Sequence, residues 1–199
     1  EGLSERIGWL PMGEFRLDST RTRTFNLKAH WALYVGNYLE GFHLPFVHKG
    51  LNAALDVQAY EVELFPWGNV QIGVATEGEP AFDLPEGSPD HGKRIGAYYF
   101  WFFPNLMLNF YPWGMSVNIV RPKGLAETEV TFLTYVHQPQ LLGLGAGKTL
   151  DVVEMEDEDV LLAVQKGVAS RLYDRGRYSP KWERGVHQFH RLLVGCLEG

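Results

Sequence analysis

Cysteine is all but missing from this chain: Cys196 is the only one in 199 residues. One cysteine makes no internal disulfide, and it suits a reducing compartment, so a cytoplasmic location is expected. Long apolar runs are missing too. Nothing approaches the roughly 20 apolar residues that cross a bilayer, so no membrane partner is expected. The opening Glu1-Gly2-Leu3-Ser4 is not a signal-peptide start. No basic stripe is present, and a formal charge of −6 argues against a nucleic-acid partner. Internal repeats and low-complexity tracts are also lacking. The chain does not begin with methionine, so the expectation is the downstream part of a longer polypeptide.

What is present is the composition of an ordinary globular protein with frequent aromatics. The length predicts a single domain over 1–199, with 1–24 a polar, irregular lead-in that resembles the end of a linker. Arg21, Arg23 and alternating threonines then enter a first strand. Residues 32–43 read as a helix, stopped by Pro45. Tyr60, Val62 and Leu64, then Val70, Ile72 and Val74, alternate about Trp67-Gly68-Asn69, the pattern of two strands and a tight turn. Glycine and proline make 77–95 a loop. Strands follow over 95–103, 106–111, 116–121 and 128–137, then a loop over 138–149. A long helix over 153–173 and a shorter one over 182–197, opened by Ser179-Pro180, complete the order. This predicts an α+β domain in which a curved antiparallel sheet packs against helices.

The stretch with most chemistry is Asn37-Tyr38-Leu39-Glu40-Gly41-Phe42-His43-Leu44-Pro45-Phe46-Val47-His48. Its two histidines sit in an apolar, aromatic run, and a buried histidine needs a hydrogen bond or a metal. On a helical wheel over 32–43, Leu39, Gly36 and Ala32 share the face of His43, with Glu40 beside it. His48 returns from the following turn. Downstream lie Glu154, Glu156, Asp157, Glu158 and Asp159, most of which read as a solvated acidic turn at a helix N-terminus. Asp157 differs, because Val153, Val160, Leu161, Val164, Val168 and Leu172 cluster within about 60° of it. An unpaired carboxylate in an apolar stripe is costly, so Asp157 calls for a cation, with Glu154 as second candidate. Two histidines plus one carboxylate form the facial triad of non-haem Fe(II) oxygenases. Similar sets serve zinc hydrolases, though the usual HExxH is absent. On spacing alone, a metal site and a satisfied structural histidine pair both stay open.

The same stretch resembles the iron motif of Rieske-type ring-hydroxylating oxygenase large subunits, in the branch with choline- and carnitine-type monooxygenases. Further matches are Phe103-Pro104-Asn105-Leu106-Met107-Leu108-Asn109, Glu156-Asp157 with Gln165 and Gly167, Tyr178-Ser179-Pro180, and His187-Gln188-Phe189-His190. They run from about residue 25 to the end. The resemblance implies a helix-grip (START-like) fold with a long C-terminal helix, and mononuclear Fe(II) held by His43, His48 and Asp157. It implies Glu40 as the link to a neighbouring subunit and Asn37 as a residue beside the metal. It also implies dioxygen, a small organic substrate that is hydroxylated or demethylated, and a trimer of complete subunits. The aromatics suit an aromatic ring or, through cation–π contacts, a quaternary ammonium. Two departures touch no ligand: His30-Trp31-Ala32 replaces Asn-Trp-Lys, and Gly36 replaces a frequent acid. A third matters more. A Rieske [2Fe–2S] cluster needs two cysteines and two histidines, so here electrons must come from a Rieske domain, or a ferredoxin and reductase, outside this chain.

Other features read as ordinary structure. Gly143-Leu144-Gly145-Ala146-Gly147-Lys148-Thr149 is one residue short of a phosphate loop. His187 and His190 read as packing and capping positions, His91 as solvent-exposed and Cys196 as a buried small residue. Tyr98 to Phe103 read mostly as sheet core, with part of the run free to line a pocket. The alternative function is a non-catalytic helix-grip domain that binds an apolar small molecule.

Overall fold

Side chains alternate between the two faces of a strand, and this sorts the run from Ala97 to Trp101. Tyr98 and Phe100 point into one core, while Ala97, Tyr99 and Trp101 point the other way. The computed structural model, which describes residues 2–148 and 150–198, builds this run into the middle of an antiparallel sheet. Its strands are β1 (Arg16–Leu17), β2 (Arg23–Leu27), β3 (Glu61–Phe65), β4 (Gly68–Val74), β5 (Ile95–Phe102), β6 (Leu106–Tyr111), β7 (Gly114–Gly124) and β8 (Glu127–Val136). They lie in the order β1-β8-β7-β6-β5-β4-β3, with β2 also on β8. The helices are α1 (Gly2–Ile7), α2 (Trp31–Tyr38), α3 (Leu44–Val47), α4 (Lys49–Ala54), α5 (Leu150–Val168) and α6 (Arg184–Glu198).

Both faces of the sheet are covered. On one, Val70, Ile72, Phe100 and Phe110 pack under Ile7, Phe15 and Leu84. On the other, Val35 and Leu39 of the α2 end, Leu161 of α5 and Phe189 of α6 close over Trp101, Met107 and Val120. Burying such side chains is worth about 1.5–3 kcal/mol each, so the helices are held by their apolar stripes. The mixed helix and antiparallel-sheet architecture with a C-terminal helix agrees with the expected class, and the six strands β3 to β8 fall where alternation put them.

Three expectations fail. The first 24 residues are not irregular, because α1, β1 and two short 3₁₀ turns occupy much of them. Their anchors are Ile7 and Phe15, both buried, and Arg6, which reaches Asp90 at 2.9 Å and Glu63 at 2.8 Å. Composition conceals so few anchors. Second, the long helix ends at Val168, and Leu172 is 87% exposed. There Ser170 caps the amide of Leu172 through its hydroxyl at 3.2 Å and turns the chain away. Third, Cys196 is exposed, as are Val194 and Leu197 around it. The last turn of α6 keeps its cysteine in solvent. The short helix itself begins near its expected start, with Ser179 Oγ accepting from the amide of Trp182 at 3.3 Å. Of the glycine-rich segment, Gly145–Gly147 forms a buried 3₁₀ turn, and Thr149 lies outside the described residues.

The Arg6–Asp90 pair fastens α1 to the 77–95 loop. Asp90 is 2% exposed and also accepts from Tyr98 Oη at 3.1 Å. Removing one charge of a buried pair leaves the other uncompensated. Asp90→Asn is therefore expected to cost about 3 kcal/mol in urea unfolding, with Glu63→Gln, on the more exposed partner, costing far less.

Candidate metal centre

Helix α2 is placed by its first turn. His30 Nδ1 accepts from the amide of Ala32 at 3.2 Å, and the amide of His30 donates to Gln165 Oε1 on α5 at 2.8 Å. The helix stops at Tyr38 instead of running to residue 43. The Glu40 carboxylate turns back to accept from the amides of Phe42 and His43, the latter at 3.1 Å. A side chain that offers backbone donors a local acceptor competes with the helical ladder. Gly41 completes the turn, since a Cβ there would stand 3.2 Å from the Tyr60 ring.

His43 consequently lies on no face of α2. It is the residue before α3, and the wheel that grouped it with Leu39, Gly36 and Ala32 does not apply. Pro45 does not stop a helix but sits in the first turn of α3, where a missing N–H costs nothing. His48 joins α3 to α4 and is 1% exposed. Two short turns thus fold the rings together, with 3.1 Å between their Nε2 atoms. Asp157 arrives from α5, its Oδ1 at 3.0 Å from His48 Nε2 and 3.6 Å from His43 Nε2. These three residues form a group able to hold a metal ion.

The hydrogens decide what this group can do. His48 Nδ1 faces Glu156 Oε2 at 2.8 Å, and His43 Nδ1 faces Glu40 Oε1. A carboxylate only accepts, so each Nδ1 carries the hydrogen and each neutral ring turns a lone pair inward from Nε2. Asn37 Nδ2 donates to Asp157 Oδ1 at 2.7 Å, which fixes that oxygen as the third inward acceptor. Three acceptors then converge with no donor between them. A metal ion or a proton relieves this. Burial alone would lower the pKa of His48, but its contacts with Asp157 and Glu156 outweigh it and raise the value. The donor set fits an ion: ligands about 2.1 Å from one centre and 90–120° apart are ~3.0–3.6 Å from each other, as these are.

The acids do not rank as the wheel ranked them. Glu154 is the deeper, at 4% exposure, while the Asp157 side chain is 16% exposed. Glu154 accepts from Tyr34 Oη at 2.9 Å, and its other oxygen is sealed without a partner. Burial, with help from Asp157 and Glu158 and against the Tyr34 bond, pushes its pKa up to about 8. Its partner comes from α2, which a wheel of α5 alone cannot show. Glu156, read as one of the solvated acids, holds His48. The signal for it was chemical: a ligand histidine needs an acceptor on its far nitrogen. Glu40 has both oxygens engaged within its own turn. His187 is exposed and His190 bonds Tyr178 Oη at 2.6 Å; neither belongs to a metal group among the described residues. Beyond the triad a cavity of about 100 Å³ opens between the helices and the sheet, with Tyr38, Tyr60, Tyr99 and Tyr111 in its walls.

The His₂–carboxylate set, with His48 buried and His43 and Asp157 partly buried, lies beside an antiparallel sheet, and the comparisons give the class. Residues 9–199 match the family model described as ring hydroxylating alpha subunit (catalytic domain), and the chain belongs to that family. It is 34% identical to choline monooxygenase, chloroplastic, of Arabidopsis thaliana, over 97% of this chain and 46% of that protein. It is 28% identical to the Beta vulgaris protein of the same name, over 92% of this chain and 40% of that one. The fold matches a solved quaternary ammonium Rieske monooxygenase with a TM-score of 0.70 at 22% identity, over 92% of this chain and 50% of that one. The chain thus spans less than half of the curated relatives it matches. Those plant relatives are named chloroplastic, a different address from the expected cytoplasm. No helix among the described residues is long and apolar enough to cross a membrane.

Carboxylates on the far nitrogens of ligand histidines typically hold 10–100-fold in metal affinity. Glu156→Ala, which removes the acceptor from His48 Nδ1, is expected to weaken Fe(II) binding by about tenfold or more in an anaerobic titration. His48→Ala is expected to abolish it, with both variants keeping the far-ultraviolet spectrum of the parent.

Proposed function

We propose that this chain is the mononuclear-iron catalytic domain of an oxygenase that hydroxylates or demethylates a small quaternary ammonium compound. The convergence of His43 Nε2, His48 Nε2 and Asp157 Oδ1 without a donor among them carries this reading. Fe(II) held by these three residues would supply dioxygen activation. The chain's own groups do the positioning. Glu40 and Glu156 keep the hydrogens on Nδ1, and Asn37 aims the Asp157 oxygen. Tyrosines in the cavity wall suit a cation, and the cavity volume suits a ligand of several heavy atoms. That choice favours a quaternary ammonium over an aromatic ring and agrees with the names of the relatives. The polar groups in the cavity fit poorly with a non-catalytic domain for apolar ligands. In the same reading the sheet and its helices form a curved helix-grip (START-like) domain.

Electrons come from a Rieske cluster outside this chain, since one cysteine cannot complete such a cluster. The side from which they arrive is the Glu40 turn. Phe42 and Phe46 there are 52% and 76% exposed, and Phe42 lies 6.5 Å from Trp182. This aromatic patch fits the Rieske domain of a neighbouring subunit, as in the trimer that the resemblance implies, with Glu40 between the patch and His43.

Protein purified without chelators is expected to bind one Fe(II) and to sustain turnover only when a Rieske donor is added. Absence of any transition-metal binding, or sustained turnover with a flavin reductase alone, overturns the reading. Glu40→Gln keeps an oxygen for His43 Nδ1, so it should retain iron while coupled turnover in the assembled enzyme falls by orders of magnitude. Loss of iron in this variant would reduce Glu40 to a support for His43.

A further inference from the structure

The inner face of the sheet carries buried amides where alternation alone leads one to expect core. Asn109 on β6 and Ser116 and Asn118 on β7 are 3%, 1% and 5% exposed. The β6–β7 register sets Asn109 opposite Ser116 and Met107 opposite Asn118. Met107 packs against the helices, so this row faces them too. A buried amide has two donors and an acceptor to satisfy. Each of these satisfies only its oxygen: Asn109 Oδ1 accepts from Tyr38 Oη, and Asn118 Oδ1 from Ser116 Oγ, both at 2.7 Å. The Ser116 bond orients the Asn118 amide, and Tyr38 Oη, which also faces the Phe100 carbonyl at 3.1 Å, orients Asn109 through the shorter of its two contacts. Neither Nδ2 has a partner among the described residues, and neither is sealed off as Asn69 Oδ1 and Tyr99 Oη are. Both residues line the cavity that holds the His43–His48–Asp157 triad.

The charge of the walls adds a second selection. Glu40, Glu154 and Asp157 line the same cavity, and among its described lining residues there is no lysine or arginine. With the Fe(II) of the loaded site balanced by Asp157 and Glu40, a ligand carboxylate would find no lysine or arginine in these walls to pair with, which is costly. A cation meets acids and tyrosines instead. An uncharged oxygen meets the two amide donors.

We propose that Asn109 and Asn118 form the oxygen-reading end of the pocket, donating to the neutral hydroxyl oxygen of a small quaternary ammonium alcohol. The same pocket discriminates against quaternary ammonium compounds that carry a carboxylate. This assignment rests on the quaternary ammonium reading above and adds the residues that set its specificity.

The test is calorimetric titration of the anaerobic Fe(II)-loaded chain with choline, tetramethylammonium, L-carnitine and 3,3-dimethylbutan-1-ol, the neutral carbon isostere of choline. Choline is expected to bind about tenfold tighter than each of the others, the worth of one good hydrogen bond or charge contact. Asn118→Leu should lower choline affinity about tenfold and leave tetramethylammonium unchanged. Ser116→Ala, which frees the Asn118 amide to turn, should lower it in the same direction by less. Carnitine binding as tightly as choline, or choline no tighter than tetramethylammonium, overturns the proposal with the parent chain alone, whether or not the variants fold. An unchanged choline affinity in a folded Asn118→Leu overturns it as well. If the iron-loaded chain binds none of the three quaternary ammonium compounds, the quaternary ammonium reading itself falls and takes this inference with it.

Discussion

Three hydrogen-bond acceptors meet at one point of this protein, and much of the structure around them is arranged to keep them there. Two imidazoles and a carboxylate would ordinarily settle their contacts with a shared proton. Here Glu40 and Glu156 draw the ring hydrogens to the outer nitrogens, and Asn37 spends its donor on Asp157. With both rings neutral, the inward atoms are left with lone pairs only. Such a site costs folding free energy until a cation enters, so the binding energy of a metal becomes stability of the fold around it.

The ligands come from elements that need each other. His43 and His48 lie on turns too short to hold a shape alone, and Asp157 on a helix whose fully exposed acids are Asp151 and Asp159. The connection between them runs through α2. His30 bonds Gln165 of α5, Tyr34 bonds Glu154, and Asn37 bonds Asp157, so one side of α2 is laced to α5 along its length. Behind it, Leu39, Trp101 and Phe189 form part of a continuous apolar core, and Gly185 of α6 lies so close to Leu39 that a Cβ would reach its carbonyl at 2.8 Å. The rigidity of the centre is that of the helix–sheet packing beneath it. The sheet in turn turns polar beside the cavity, where Gln71, Asn109, Ser116 and Asn118 line its wall, as a wall that touches ligand must.

The strands were readable because their signal is local. Tyr60 to Val74 and Ile95 to Val136 alternate or run apolar between glycine and proline breaks, and period-2 patterns survive whatever packs on them. Helices α2, α5 and α6 were readable as elements but not at their ends, since those depend on side chains that return to the backbone, and the short α1, α3 and α4 were not read. Glu40 ends α2 by accepting amides two and three residues on, and Ser170 turns the chain beyond α5. No hydrophobic wheel includes such bonds. The same limit explains the acids. A wheel of α5 by itself put Asp157 at the centre and Glu154 at the edge, whereas Tyr34 and the cavity wall bury Glu154 the deeper.

The sequence by itself determined the donor types and the strand meander, and its single cysteine places no Rieske cluster within these residues. Histidine, carboxylate and cysteine counts are chemistry that no fold can alter. Only the tertiary structure decided which carboxylate serves which purpose, with Asp157 facing both rings, Glu156 and Glu40 behind them and Glu154 on a tyrosine. It alone placed Asn109 and Asn118 on the cavity wall. Those assignments depend on contacts between residues more than a hundred positions apart and on register between strands, and a linear pattern contains neither.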